Sequence, residues 1–395
     1  MFKLRRVDEV LNEIVPRIRW RPRSVEVPLT EALNLIPAKS YESSTRFPTY
    51  PKATVDGYAV RSVDVAMASP DNPVALRMVG EVREPLKPVD GGISRNECMY
   101  VETGCFLPRN ADAVVMVEDC EVSQNLVLVR RSVSRYENVS MPGEELDVGD
   151  PLAVYGRRLK PWNLAALSMV GIDVVEVLDL RAKIVATGRE FVEGWARPFT
   201  LHLVSSWLKE FGFRYVSTEI VGDEVGAIAS SIAKGVEEFD TVILLGGTSM
   251  GRDDWSVRAI EKLNPSYLVH GIAIQPGKTT ALSVVGEKLV VAMSGLPVAA
   301  FTVLELVLNP LLSRWLGVEP LKRCVAKLVA RARIPSKLGL RTLARVRIVD
   351  GGIVPLGIGG SGAIRSLLLA DGYVVVPEDL EGIEVGEEVD VYLLH

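Results

Sequence analysis

Histidine is almost missing from the chain. Only His202, His270 and His395 occur, widely scattered and without an H-E-x-x-H pattern, which argues against histidine-based metal or triad chemistry. Cysteine is as sparse. Cys98, Cys105, Cys120 and Cys324 contain no C-x-x-C pair, so no zinc knuckle or thioredoxin-like motif is written here, and the four read as small buried apolar residues. No uninterrupted apolar run reaches about 18 residues, so no membrane span is expected. The opening Met1-Phe2-Lys3-Leu4 leads into an amphipathic stretch without the apolar core of a secretory signal, and a soluble cytoplasmic protein is the expectation. An excess of positive charge is also lacking. A formal net charge of -5 supplies no dominant basic field, which argues against a general nucleic-acid partner. Local basic loops could still hold an anionic small molecule.

What is present points to several domains, because 395 residues exceed what one hydrophobic core usually organises. Val7, Val10, Leu11, Ile14 and Ile18 recur at helical spacing, with Pro16 placed to end the helix. Residues 41–61 are rich in Ser, Thr and Pro and read as loop. Short β-branched runs between Ala75 and Val133, such as Ala113–Val117 and Leu126–Val129, predict a small, mostly β module. From Leu180 to Leu316 strands and helices alternate. Lys183–Ala186, Arg214–Ile220, Thr241–Leu245 and Lys288–Met293 read as strands. Phe199–Phe211, Glu224–Val236, a segment from Trp255 and Pro297–Trp315 read as helices. Such alternation predicts an α/β unit with a largely parallel sheet. After Gly317, strands are expected at Cys324–Ala332, Thr342–Val349, Tyr373–Val376 and Glu388–Leu394, as a separate C-terminal β domain.

Three loops of the α/β unit directly follow strands: Thr187-Gly188-Arg189-Glu190, Gly246 to Asp254, and Ser294-Gly295-Leu296-Pro297. In an open α/β sheet, ligands bind at that edge. In the middle loop, Gly246, Gly247 and Gly251 carry no side chain to keep an anion away, and Thr248 and Ser249 add hydroxyls. Asp253 and Asp254 stand near the start of the next helix, where one suits either a helix cap or a Mg²⁺ ligand. The local pattern fits both a phosphate cradle and a plain glycine turn. Lys278, after Gln275-Pro276-Gly277, can neutralise an oxyanion or simply face solvent. Asp56-Gly57 and Glu102-Thr103-Gly104 are, taken alone, turn signals.

In chain order these motifs resemble the molybdopterin molybdotransferase family, which includes MoeA and the gephyrin E domain, over nearly the whole length. Asp56-Gly57-Tyr58-Ala59-Val60 matches its D-G-Y-A-[VF] element, and Thr103-Gly104 with Pro108 and Ala111 to Val115 its T-G…P…A-D-A-V-V element. Pro142-Gly143-Glu144-Glu145 with Gly149 resembles G-E-D…G. Gly246 to Gly251 with Asp254 matches G-G-x-S-x-G-x-x-D, and Gly360-Ser361-Gly362 with Ala370-Asp371-Gly372 matches the pattern of the last domain. The resemblance implies a discontinuous linker domain (1–45 plus 140–178), an inserted β-rich domain (46–139), an α/β molybdopterin-binding domain (179–317) and a C-terminal β barrel (318–395). It implies a homodimer whose site lies between the α/β domain of one subunit and the second domain of its partner. The implied substrates are adenylylated molybdopterin and molybdate or tungstate, with Mg²⁺ and release of AMP, and the pathway's adenylyltransferase is a candidate partner.

By motif position, Asp56, Thr103, Glu190 and Asp254 are the expected catalytic residues. Asp254, Asp223, Glu190 and Glu145 are the expected metal ligands. Gly246, Gly247, Thr248, Ser249, Gly251, Lys278, Ser294, Gly295 and Arg189 are expected to bind substrate. Asp223 also suits the cap of the following helix. Four departures from the family pattern gather at the ligand edge. T-G-D-E-L is Thr187-Gly188-Arg189-Glu190-Phe191, a local change of two charge units. D-[ST]-N is replaced by Arg197-Pro198-Phe199-Thr200, K-P-G-K-P by Gln275-Pro276-Gly277-Lys278-Thr279, and P-G-N-P by Ser294-Gly295-Leu296-Pro297. Fewer acids with an added arginine would weaken Mg²⁺ and favour direct anion binding. A substrate-shifted or non-catalytic paralogue binding a pterin or anion is the alternative.

Overall fold

The computed structural model describes residues 4–248, 254–357 and 359–394. Ser249 and Gly251 of the glycine loop lie outside the described residues. The chain forms two compact units. One comprises Met1–Lys39, Val154–Ala165 and Asp173–His395, the other Ser40–Ala153 and Ala166–Ile172.

The second unit is built on a six-stranded sheet with the order Ala113–Met116, Gly57–Val60, Glu97–Val101, Val74–Val82, Leu126–Val129, Cys120–Ser123. The β-branched runs that announced these strands put Val60, Leu76, Val115, Val127 and Val129 into one apolar cluster. The stretch 41–61, expected as loop, contains short strands at Tyr41–Glu42 and Lys52–Ala53 and the strand Gly57–Val60. Their partners are distant in sequence, so local composition could not reveal them.

In the first unit, the helix Val7–Ile14 does end just before Pro16. Strand Ser24–Pro28 pairs antiparallel with Val174–Leu178. The α/β region then runs β1 (Arg181–Thr187), α1 (Thr200–Phe211), β2 (Tyr215–Val221), α2 (Val225–Glu238), β3 (Thr241–Leu245), α3 (Trp255–Glu261), β4 (Tyr267–His270), β5 (Ala281–Val285), β6 (Lys288–Met293) and α4 (Pro297–Leu316). The sheet order is β2-β1-β3-β6-β5-β4. The first four strands are mutually parallel, while β5 and β4 add an antiparallel edge. The N-terminal helix, α1 and α4 pack on one face around Leu11, Trp207, Phe211 and Leu304, and α2 and α3 on the other around Ile228, Ile232 and Ile260. With both faces covered, β3 and β6 are buried throughout, which is why Val242–Leu245 and Leu289–Met293 are unbroken apolar runs. Helix α4 is long and apolar enough to cross a bilayer, but 83% of its apolar window is buried inside the fold, as expected of a core helix.

The C-terminal region is a closed five-stranded barrel of β7 (Val325–Ala330), β8 (Arg341–Val349), β9 (Gly352–Pro355), β10 (Gly372–Val376) and β11 (Glu388–Leu393). Closure runs β8-β9-β7-β11-β10 and back to β8. Closing the ring removes exposed strand edges. The reading of all four cysteines as buried holds for Cys98 and Cys105 only. Cys120 is half-buried and Cys324, immediately before the barrel, is exposed.

Candidate functional site

Three loops meet at the carboxyl ends of the parallel strands. After β3, Gly246 donates its N–H to Met293 O at 3.0 Å, and Gly188 after β1 donates to Val221 O at 3.1 Å. Ser256 Oγ donates to Gly246 O at 2.8 Å, closing the glycine turn onto the start of α3. Gly246 and Gly247 have φ of +100° and +61°, conformations that favour glycine. A Cβ on Gly246 would sit 2.7 Å from Thr187 O, and one on Gly247 2.8 Å from Ser256 Oγ. The two glycines therefore let neighbouring loops approach closely as well as keep the cleft open. Thr200 Oγ1 donates to Gly295 O at 2.6 Å, tying the start of α1 to the loop after β6.

These loops enclose a cleft of about 480 Å³ lined by Glu190, Asp223, Thr248, Ser294 and several apolar side chains. A second cleft, of about 520 Å³, shares Thr248, Ser294 and Leu296 with it and is lined further by Lys278, Thr279, Lys337 and Ser361. Strand Ile274–Gln275 pairs with Arg341 and Thr342 of β8, so the barrel forms part of that wall. Carboxylates thus stand in one cleft and ammonium groups in the next, across a shared wall of hydroxyls. Such a division suits a ligand carrying several anionic groups, with a divalent cation on the acidic side.

The structure gathers some of the expected residues and separates others. Glu190, Asp223, Gly246, Gly247, Thr248, Ser294 and Gly295 line the first cleft, and Lys278 the second. Asp254 is buried rather than presented to either cleft. Its Oδ1 accepts from Val257 N at 3.1 Å, capping α3, and its Oδ2 lies 3.1 Å from His270 Nε2. Burial pushes its carboxyl above the usual range. Asp223 does not cap α2, since Glu224 stands at that position. Asp223 Oδ2 instead accepts from Arg189 N at 3.0 Å. The Arg189 guanidinium pairs with Glu193 and lies 5.8 Å from the Trp195 ring centroid.

Asp56, Thr103 and Glu145 belong to the other compact unit. There Asp56 Oδ1 accepts from Thr103 N at 2.7 Å and from Thr103 Oγ1 at 2.8 Å, and these donors hold the Asp56 carboxyl below its usual range. Glu145 pairs with Lys52 and accepts from Ser140 Oγ at 3.2 Å. Among the described residues, no group of three or more His, Cys, Asp or Glu side chains stands together as a metal site. Mg²⁺ needs no such cage, because it commonly takes one or two carboxylates together with substrate phosphates. Glu190 and Asp223 fit that donor set. Sequence reasoning missed Thr279, Lys337 and Ser361, and the apolar lining Phe191, Phe199, Trp255 and Leu296. Thr187, at the strand end, carried a usable positional signal, whereas Lys337 carried none.

Fold and site together define a multidomain α/β and β-barrel protein with a polar, charge-divided cleft at the carboxyl edge of its parallel strands. Its sequence matches the MoeA N-terminal region (domain I and II) over residues 5–171, a probable molybdopterin binding domain over 183–314, and the MoeA C-terminal region (domain IV) over 327–394. A putative molybdopterin biosynthesis protein of Methanocaldococcus jannaschii is 34% identical over 386 residues, covering 93% of this chain and 92% of that one. A molybdopterin molybdenumtransferase of Staphylococcus epidermidis is 27% identical, covering 94% and 91%. A crystal structure of a molybdopterin biosynthesis MoeA protein from Pyrococcus horikoshii is 32% identical with a TM-score of 0.75, covering all of both chains. The chain belongs to the MoeA family.

Proposed function

We propose that this protein is a molybdopterin molybdotransferase of molybdenum cofactor biosynthesis, acting on adenylylated molybdopterin and molybdate or tungstate with release of AMP. The observation that carries this is the pair of adjoining clefts, one with Glu190 and Asp223 and the other with Lys278 and Lys337, sharing Thr248 and Ser294. Glu190 and Asp223 would hold Mg²⁺, which when bound neutralises phosphate charge. Lys278 and Lys337 attract the oxyanion as point charges, and the hydroxyls of Thr248 and Ser294 donate to anionic oxygens. Gly246 and Gly247 keep side chains off the approaching phosphate. Asp254 acts behind the loop, fixing the start of α3 through Val257. The proposed organisation is a cytoplasmic homodimer with a linker domain (1–45 plus 140–178), an inserted domain (46–139), an α/β domain (179–317) and a barrel (318–395). Asp56 and Thr103 are proposed to complete the site from the partner subunit.

A second reading, a paralogue that binds the pterin without turnover, is favoured by one observation. At the position where the family pattern has an acid, Arg189 turns to Glu193 and leaves Glu190 and Asp223 as the carboxylates of the cleft. Purified protein with adenylylated molybdopterin, Mg²⁺ and molybdate or tungstate separates the two. Oxyanion-dependent AMP release supports the transferase, and tight pterin binding without AMP release supports the paralogue. Asp254→Ala is expected to abolish turnover, whereas Asp254→Asn, which keeps an oxygen to cap α3, should retain part of it.

A further inference from the structure

Phe199 is 54% exposed, yet it lines the carboxylate cleft beside Phe191, Trp255 and Leu296. An aromatic ring left half in water is ordinarily a loss of favourable burial unless something covers it. Its backbone is not free to swing away. Phe199 has helical φ and ψ of -61° and -27°, its carbonyl accepts from His202 N at 3.1 Å, and the neighbouring Thr200 is anchored on Gly295 O at 2.6 Å. The ring is thus held at the rim by the first turn of α1, in the segment where the related pattern has the polar D-[ST]-N. Across the same cleft stands the half-buried Trp255.

We propose that Phe199 is a specificity-determining residue whose ring supplies the face on which the flat heterocycle of the substrate, a pterin, stacks. The proposal rests on the molybdopterin reading above. Stacking recovers apolar area from water and favours a planar aromatic partner over an aliphatic one of equal size. It also gives the departure at this segment a chemical sense, since an aromatic ring stands where the related pattern has polar side chains.

The test uses the full chain and pterin-6-carboxylate, whose own fluorescence anisotropy reports binding. Phe199→Leu keeps apolar bulk but removes the π face, and should weaken binding roughly tenfold. Phe199→Tyr keeps the face and should bind like the parent. Equal affinity in all three proteins, or equal loss in both variants, overturns the proposal. If the parent binds no pterin-6-carboxylate but releases AMP in an oxyanion-dependent way, this inference falls alone. If it does neither, the molybdopterin reading falls with it.

Discussion

Glu305→Ala should be among the most damaging single substitutions in the chain. Glu305 lies in a π-helical turn, Leu304–Leu308, within α4, and its side chain is only 2% exposed. Its carboxylate accepts from Trp207 Nε1 at 2.8 Å, Arg323 Nη2 at 2.6 Å and Tyr373 Oη at 2.9 Å. These donors come from α1, the segment before the barrel, and β10, so one buried acid joins three parts of the fold. Burial and the adjacent carboxylate push the Tyr373 hydroxyl well above its usual range, keeping it a donor. Removing the carboxylate leaves a mostly buried guanidinium, an indole and a phenol short of an acceptor. Breaking a buried ion pair costs about 3–5 kcal/mol, and each orphaned neutral donor about 1–3. The terms overlap, because Arg323 keeps Glu210 at 2.7 Å. A net loss of about 4 kcal/mol is therefore expected. Urea unfolding with linear extrapolation measures it, followed by circular dichroism. Glu305→Gln should lie between the two, since its amide oxygen still accepts. A Glu305→Ala protein within about 1 kcal/mol of the parent would refute the claim that these donors depend on this acid.

Two further outcomes follow from the loops. Gly246→Ala should destabilise by about 1–3 kcal/mol and sharply reduce AMP release, because φ of +100° and a Cβ 2.7 Å from Thr187 O force the glycine loop to shift; parallel unfolding and turnover measurements check this, and parent-like values in both would contradict it. Thr103→Val removes one of the two donors to Asp56 but keeps the amide, so the Asp56 titration seen by NMR should move up toward, but stay below, its ordinary value. Since the folded-state value is depressed, the associated stability is full above the unfolded-state value and is lost as pH falls through the folded one. The variant should have less of it to lose and should finish losing it at higher pH, and an unchanged titration would remove Thr103 Oγ1 from the account.

How far the sequence could be read depended on what buries each element. β3 and β6 have the bounds that their apolar runs announced, because strands covered on both faces need no alternation. β4 escaped notice for the opposite reason, and β5, although buried throughout, because it is short and Ser283 interrupts its apolar residues. Tyr267–His270 lies at the sheet edge with mixed burial, giving neither a run nor a period of two. The turn joining β5 to β6 is Gly286-Glu287, both with positive φ, a weaker signal than Asn-Gly. The π-helical turn in α4 was not read from the sequence either, although Pro310, which has no N–H to donate to the carbonyl four residues back, stands just after it.

The site was legible where residues stand directly after strands, and opaque where the fold brings in distant chain. Glu190, Gly246 and Ser294 could be placed at one edge from alternation alone, whereas Lys337 reaches the second cleft only through the pairing of Ile274–Gln275 with β8. Arg189 illustrates a subtler limit. As a sequence change it removes an acid and adds a cation, a swing of two charges at the ligand edge. In the fold its charge is met by Glu193 and its ring-facing side by Trp195, while its amide occupies Asp223 Oδ2. Such an exposed pair is worth little to stability, but it cancels the new positive charge locally. The departure therefore acts mainly by subtraction. The position offers neither an acid nor an unopposed cation, so on the proposed function weaker Mg²⁺ binding is the expected consequence, and direct anion binding would fall to Lys278 and Lys337.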